Sequence, residues 1–318
     1  MTPKPAENPI PILQKHKENF LIELKSQNYS ENTILAYSRE IKYFIEYFRG
    51  FQDEMDIIDI NRPFVQQSII FREENSRTGK ISTNTKKMYL KALYQFFIYL
   101  TEVMNGIKDF TTAFNKIKIQ TETKQKEYLT EEEIKRLLNY INLQKNKRLS
   151  YISWRNILLI KILFYTGMRA SEVINIKLSD MKTYEEDKNI IQIKVIGKGN
   201  KEAYCYIDHM KIEEELEEVL RHRKLHNIES EYLFTTKTGR QITRQEAFIA
   251  IEKILKQAGI NKKGLHLFRH TLGFLLAQKG VRLEDIQEIL RHSNINTTRI
   301  YVQRREADKI NGIKKIDY

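Results

Sequence analysis

Cysteine is almost missing: Cys205 stands alone in 318 residues. One thiol excludes an internal disulfide framework and a zinc site built from several thiolates, and it fits a reducing compartment. Glycine and proline are sparse, at 12 and 5 residues, too few for a fibrous or low-complexity chain. Long hydrophobic runs are absent as well. The stretch from Met1 to Leu13 has no apolar core of signal-peptide length, and the longest apolar run, Ile157 to Tyr165, is broken by Lys161 and too short to span a bilayer. These absences predict a soluble, cytoplasmic protein with no membrane partner.

What the chain does contain is enough apolar material for real cores, with 41% hydrophobic and 10% aromatic residues over a length that suits two domains. It also carries 54 basic against 41 acidic side chains, a net charge of +13. The excess is uneven: residues 1–120 carry +3, residues 121–318 carry +10, and +9 of that lies within 237–318. An acidic partner, nucleic acid first among them, is the functional reading of such a surplus, and a basic face that serves only solubility is the plain one. The last quarter of the chain is where an anionic ligand is expected.

Apolar residues recur at helical spacing over roughly 10–27, 31–49, 62–76 and 83–104. The second pattern is the clearest, with Ser30 as its cap and Ile34, Tyr37, Ile41, Phe44, Ile45 and Phe48 as one stripe. In the fourth, Tyr89, Leu93, Phe96, Phe97 and Leu100 form the inner face and leave Lys86, Lys87 and Lys91 for solvent or for a phosphate backbone. The pattern weakens from Asn105 to Glu127, which reads as a connection with a boundary near residue 120. Thr130 and Glu133 then make a capping box before a helix carrying Ile134, Leu137, Leu138 and Ile141. Residues 189–207 alternate in the β period, with Ile191, Ile193 and Val195 answered by Ala203, Cys205 and Ile207 across a Gly197-Lys198-Gly199-Asn200 turn. Helices are expected at about 209–226, 243–258, 266–279, 283–291 and 297–315. The fold class is therefore mainly α with one small β-hairpin or sheet.

Four segments place phosphate-friendly side chains beside constrained geometry. In Thr166-Gly167-Met168-Arg169-Ala170-Ser171-Glu172, an apolar helix ends at glycine and Arg169 begins another, three residues before a carboxylate that either orients it or pairs with it at the surface. Lys198 sits at the hairpin tip, a solvated turn lysine or a proton donor on a loop. In His266-Leu267-Phe268-Arg269-His270, the two histidines and the arginine share adjoining parts of one helical face. Zinc is a poor fit there, because the glutamate of H-E-x-x-H is missing and no third ligand is evident, and His270 reads as a satisfied core histidine. Finally, a helix ends at His292 and another begins at Thr297 or Thr298, with Tyr301 one turn in.

Taken in order, R-x-x-E, a hairpin lysine, H-x-x-R-H and His-x8-Tyr resemble the catalytic set of the tyrosine site-specific recombinases, the family of phage integrases and Xer chromosome-dimer resolvases. The chain is most similar to the Xer group. The resemblance covers essentially the whole chain and implies a two-domain architecture: a helical, DNA core-binding domain over 1–110, a linker over 111–127, and a mixed, mostly helical catalytic domain over 128–318 that ends in a C-terminal helix. It implies Tyr301 as nucleophile, Arg169, Lys198, His266, Arg269 and His292 as the other catalytic groups, and Glu172 in support. Lys86, Lys87, Lys91, Arg244 and Arg291 are the candidate DNA contacts. The partner implied is a double-stranded recombination site gripped by a homotetramer on two DNA sites, under the control of an FtsK-like DNA translocase, with no metal and no other cofactor. Two positions depart from the family pattern: Arg291, where glycine is common, and Phe268, where leucine is usual.

The residue types suit the implied chemistry. A phosphodiester attacked by a phenol gathers negative charge on its nonbridging oxygens, and fixed guanidinium groups stabilise that charge more than they do the ground state. A phenol with a reference pKa of about 10 needs an acceptor, for which His266 is the candidate, while Lys198 would protonate the departing 5′-oxygen. The same chemistry serves a type IB topoisomerase, and a silent architectural DNA-binding protein is the reading from another class. A metal-dependent nuclease is the most remote.

Overall fold

The computed structural model describes residues 8–104, 108–120, 126–197 and 202–302. The chain divides into two compact units, 1–124 and 125–318.

The first unit is built on α1 (Pro9–Ser26), α2 (Glu31–Arg49), α3 (Arg62–Glu74) and α4 (Thr83–Val103). Each begins where a short polar side chain accepts a backbone N–H that the helix leaves unpaired: Asn8, Ser30, Asn61 and Ser82. The apolar stripes meet in a core dense in rings, where Phe44 stands edge-on to Phe97 at 5.3 Å and 88°. That core extends past the expected end of the domain at 110. A 3-10 turn over Phe110–Phe114 buries Phe110 and Ala113 in it, so the polar look of this stretch concealed two anchors.

In the second unit, α5 (Glu131–Lys145) starts at the Thr130–Glu133 capping box. The next helix, α6 (Tyr151–Thr166), is buried around most of its circumference, including Leu158, Leu159, Ile162 and Leu163. All-round burial makes it the central helix of this unit. Among the described residues no helix is long and apolar enough to cross a membrane. A short α7 (Ala170–Ile174) follows. The sheet has three strands rather than the two of a hairpin: β1 (Met181–Thr183), β2 (Ile190–Ile196) and β3 (Glu202–Asp208), antiparallel, with Ile193 opposite both Met181 and Cys205. β1 is three residues long and carries no periodicity to betray it. Cys205 is buried in the core, and burial pushes its thiol up to about 11, which keeps it unreactive.

Then come α8 (Glu213–Leu225), α9 (Arg244–Gln257), α10 (His266–Gln278), α11 (Leu283–Leu290) and α12 (Asn296–Arg299), the last running into a 3-10 turn at Ile300–Val302. A 3-10 turn over His209–Lys211 replaces the first turn expected of α8. The remainder of the expected 297–315 helix lies outside the described residues, as does Lys198. A small cluster of Ile286, Leu290 and Tyr301, with Leu272 and Phe274 against it, joins α10, α11 and the tyrosine turn.

Candidate active site

The site is assembled at three helix ends. Gly167 closes α6 in the left-handed conformation, φ +59°. A Cβ there would stand 2.7 Å from Leu290 Cδ2 and 3.0 Å from Leu272 Cδ2, so glycine lets this turn press onto α10 and α11. Arg169 follows as the residue capping α7, and Glu172 reaches back to accept its backbone N–H at 2.8 Å and its Nη1 at 2.6 Å.

The two arginines converge on the C-terminus of α11. Arg269, on the second turn of α10, is buried and donates from Nη1 to the Gly167 carbonyl at 2.7 Å and from Nη2 to the Leu290 carbonyl. Arg169 donates from Nη2 to the next carbonyl, that of Arg291, at 2.9 Å. Helix C-termini leave such carbonyls unpaired and carry partial negative charge, which suits guanidinium partners. Burial, and then the nearby charges of Arg169 and Arg291, lower the Arg269 pKa to about 10, still well above neutrality. Glu172 is nearly buried. Burial alone would raise its pKa, but the Arg291 charge and the Arg169 hydrogen bonds outweigh it and hold the carboxylate below its usual range.

Tyr301 lies against α10 with its ring buried, 5.2 Å from Phe274 and nearly perpendicular to it. Gly273 makes the room, since a Cβ there would meet Tyr301 Cε2 at 2.6 Å. The His292 ring lies nearly parallel to that of Tyr301 at 6.2 Å, its Nδ1 2.8 Å from Thr298 Oγ1. The Tyr301 hydroxyl pairs with His270 Nδ1 at 2.9 Å. His270 is thus satisfied, as a core histidine should be, but its partner is the candidate nucleophile and not a core group. Sequence spacing could not have shown a pair 31 residues apart, although H-x-x-R-H had put His270 beside Arg269. Burial first, and nearby cations after it, lower both His270 and His292 to about 4, so both rings are neutral at pH 7. Burial raises the Tyr301 pKa, partly offset by Arg269, which keeps the phenol protonated in this state.

The remaining candidates divide. His266 is the first residue of α10; partial burial and the charges of Arg244, Arg269 and Arg169 lower its pKa, which places Arg244, the exposed first residue of α9, within electrostatic reach. Arg291 is not turned outward as a DNA contact would be. Its guanidinium pairs with Glu172 Oε2 at 3.0 Å and is only 13% exposed. Its backbone is left-handed, φ +54°, which explains why glycine is common at this place in the family. Lys86, Lys87 and Lys91 belong to α4 of the other unit, where Lys86 pairs with Glu73 at 2.6 Å and Lys87 and Lys91 are exposed. Among the described residues no three His, Cys, Asp or Glu side chains gather to hold a metal ion.

Guanidinium groups fixed beside imidazoles and one phenol form a set suited to phosphoryl transfer. The sequence pattern of the phage integrase family matches residues 127–308, more than half of the chain. The chain belongs to the phage integrase family, the tyrosine recombinases. It is 29% identical over 288 residues to the tyrosine recombinase XerH of Campylobacter jejuni, covering 87% of this chain and 76% of that protein. It is 33% identical over 233 residues to XerH of Helicobacter pylori, covering 70% of this chain and 63% of that protein. Among solved structures, XerH bound to a palindromic difH substrate in a post-cleavage complex matches with a TM-score of 0.81 at 24% identity over 98% of both chains. A lambda integrase dimer bound to a COC′ core site matches with a TM-score of 0.65 at 15% identity, over 96% of this chain and 79% of that one. These structural likenesses show the fold.

Proposed function

We propose that this chain cleaves and rejoins double-stranded DNA at a specific recombination site through a 3′-phosphotyrosyl bond on Tyr301, and that it resolves chromosome dimers in the cytoplasm. The observation that carries this reading is the convergence of Arg169 and Arg269 on successive carbonyls at the end of α11, in the same assembly that packs Tyr301 between His270 and His292.

The roles follow from the chemistry. Arg169 and Arg269 stay charged and offer donors to the nonbridging oxygens, on which negative charge grows as the phenol oxygen attacks phosphorus. His292 adds a third donor to those oxygens. As the bond from Tyr301 to phosphorus forms, the bond to the 5′-oxygen breaks. The phenol proton passes to an imidazole, His266 on the family pattern, and Lys198 gives a proton to the departing oxygen. Reversal of these steps by another 5′-hydroxyl rejoins the strand, so the bond energy is kept and no ATP is consumed. Tyr301 must first exchange its partner His270 for the phosphate. Glu172 orients Arg169 throughout.

Similarity to the Xer proteins supports a homotetramer on two sites, each protomer using both its domains on DNA, with Lys86, Lys87, Lys91 and Arg244 toward phosphates and an FtsK-like translocase as activator. Incubation with a nicked suicide duplex in EDTA tests the chemistry: wild type yields a denaturation-resistant protein–DNA adduct and Tyr301→Phe yields none. An adduct that survives Tyr301→Phe, or none from wild type on a duplex it demonstrably binds even with the translocase supplied, defeats the reading. Sedimentation with site DNA tests the assembly, and a complex that never exceeds one protomer per duplex sinks the tetramer.

A further inference from the structure

Arg291 is the one charged side chain around Glu172 for which the recombinase pattern has no place, and the structure gives it more work than capping a helix. Its backbone occupies the left-handed region at the end of α11, φ +54° and ψ +48°, a conformation that glycine adopts freely. Its side chain folds back inward. Nη1 donates to the Ile289 carbonyl at 2.9 Å and Nη2 to Glu172 Oε2 at 3.0 Å, and Nε is buried with no partner. A guanidinium that leaves one donor unpaired in order to lie on a buried carboxylate is held there by that carboxylate.

Glu172 is the shared element. Oε2 accepts from both the Arg169 backbone N–H and Arg291, while Oε1 accepts from Arg169 Nη1. Arg291 also meets Arg169 directly, because its own carbonyl takes Arg169 Nη2. Arg169 is therefore gripped at both terminal nitrogens by groups that Arg291 supplies or fixes. Electrostatics points the same way. With Arg169 alone on Glu172, the carboxylate would cancel the charge the guanidinium has to present to a phosphate. With two guanidiniums on one carboxylate, the cluster keeps a net positive charge in a partly buried place where charge is poorly screened.

We infer that Arg291 is a positioning residue for strand cleavage, which acts through Glu172 to aim Arg169 and to keep its charge available, and is not a DNA contact. This rests on the proposed function above. Arg291→Gly is the apt variant because glycine fits the left-handed turn and keeps the backbone carbonyl that accepts Arg169 Nη2 while the side chain with its guanidinium is lost, and Arg291→Lys keeps the charge without the fork.

The test is single-turnover cleavage of the suicide duplex at saturating protein, with DNA affinity measured from 50 to 200 mM salt. Arg291→Gly is expected to cleave about 10- to 100-fold more slowly, the scale of a catalytic group displaced by a fraction of its contact distance. Affinity and salt slope stay at wild-type values, and Arg291→Lys recovers part of the rate. Glu172→Gln slows cleavage too, and adding it to Arg291→Gly costs little more, because both act on one path. The inference is overturned if Arg291→Gly loses affinity with a salt slope lower by about one, the mark of a lost phosphate contact. An unchanged cleavage rate, or effects that multiply in the double variant, also overturn it. Wild type and Tyr301→Phe are run alongside: absence of a Tyr301-dependent wild-type adduct defeats the proposed function itself, and the role of Arg291 with it.

Discussion

Among the described residues each unit of this chain buries a glutamate against arginine, and the two arrangements are built to different ends. In the first, Glu40 on α2 is fully enclosed and takes Arg72 of α3 at 2.7 Å and Arg39 at 2.9 Å. Arg72 is 7% exposed and lies over the Tyr43 ring at 3.8 Å, so its charge is consumed within the fold. In the second, Glu172 likewise holds two guanidiniums, and in each arrangement one of them is open to solvent, Arg39 at 59% and Arg169 at 35%; Arg39 is tied to its carboxylate through Nε, whereas Arg169 is fixed at both terminal nitrogens. One ion pair closes a helix interface. The other leaves a cation aimed, hydrogen-bonded and still accessible. A buried carboxylate beside an open arginine is therefore no mark of a site by itself; what separates a strut from a tool is an open guanidinium fixed at both terminal nitrogens, within reach of a second arginine.

The largest effect that sharpens this contrast is expected in the first unit. Arg72→Leu leaves the enclosed Glu40 with only the largely exposed Arg39 and should lower stability by about 3–5 kcal/mol, measured by denaturant unfolding, whereas Arg72→Leu combined with Glu40→Met should be nearly neutral. Neither change should alter cleavage per folded molecule. Arg169→Ala strikes the other arrangement. It should slow adduct formation by about 100- to 1000-fold in single turnover, since it removes a preorganised donor to the developing charge. Equal losses of stability and none of rate would erase the distinction between the two arrangements.

Gly273→Ala comes next. The added methyl collides with the Tyr301 ring, and overpacking of this kind costs about 1–3 kcal/mol. A fall in Tm without a change in the first unit's unfolding would place that loss at the tyrosine packing. Acid sensitivity is a separate effect, carried by the two partly buried histidines of the site. His270 and His292 have folded pKa values of about 4, below the unfolded reference near 6.5, so the unfolded chain binds more protons between those values. Stability should fall as pH drops from about 6.5 toward 4 and level off below. His292→Gln should flatten that arm in a pH series of thermal melts, and a wild-type profile flat across this range would contradict the buried, neutral rings.

Much of this was written in local sequence. The four helices of the first unit follow the apolar spacing to within two residues, because Ser30, Asn61 and Ser82 punctuate them and aromatic stripes run unbroken between. Arg169, Glu172, Arg269, His292 and Tyr301 stand in recognisable local patterns, and the fold brings them together. What stayed hidden depends on distant partners. His270 with Tyr301, and Arg291 with Glu172 across 119 residues, are products of how α10, α11 and the α6–α7 turn meet, and no spacing rule reaches that far. The inward turn of Arg291 also reverses what its charge alone suggests. β1 went unseen for another reason, since three residues are too few to show a period.

The most direct measurement is to digest the trapped protein–DNA adduct with protease and nuclease and locate the nucleotide remnant by tandem mass spectrometry. A nucleotide linked by its phosphate to the Tyr301 oxygen is expected, joined through the 3′ end of the cut strand. A remnant on any other residue, or one joined through a 5′ end, would contradict this assignment.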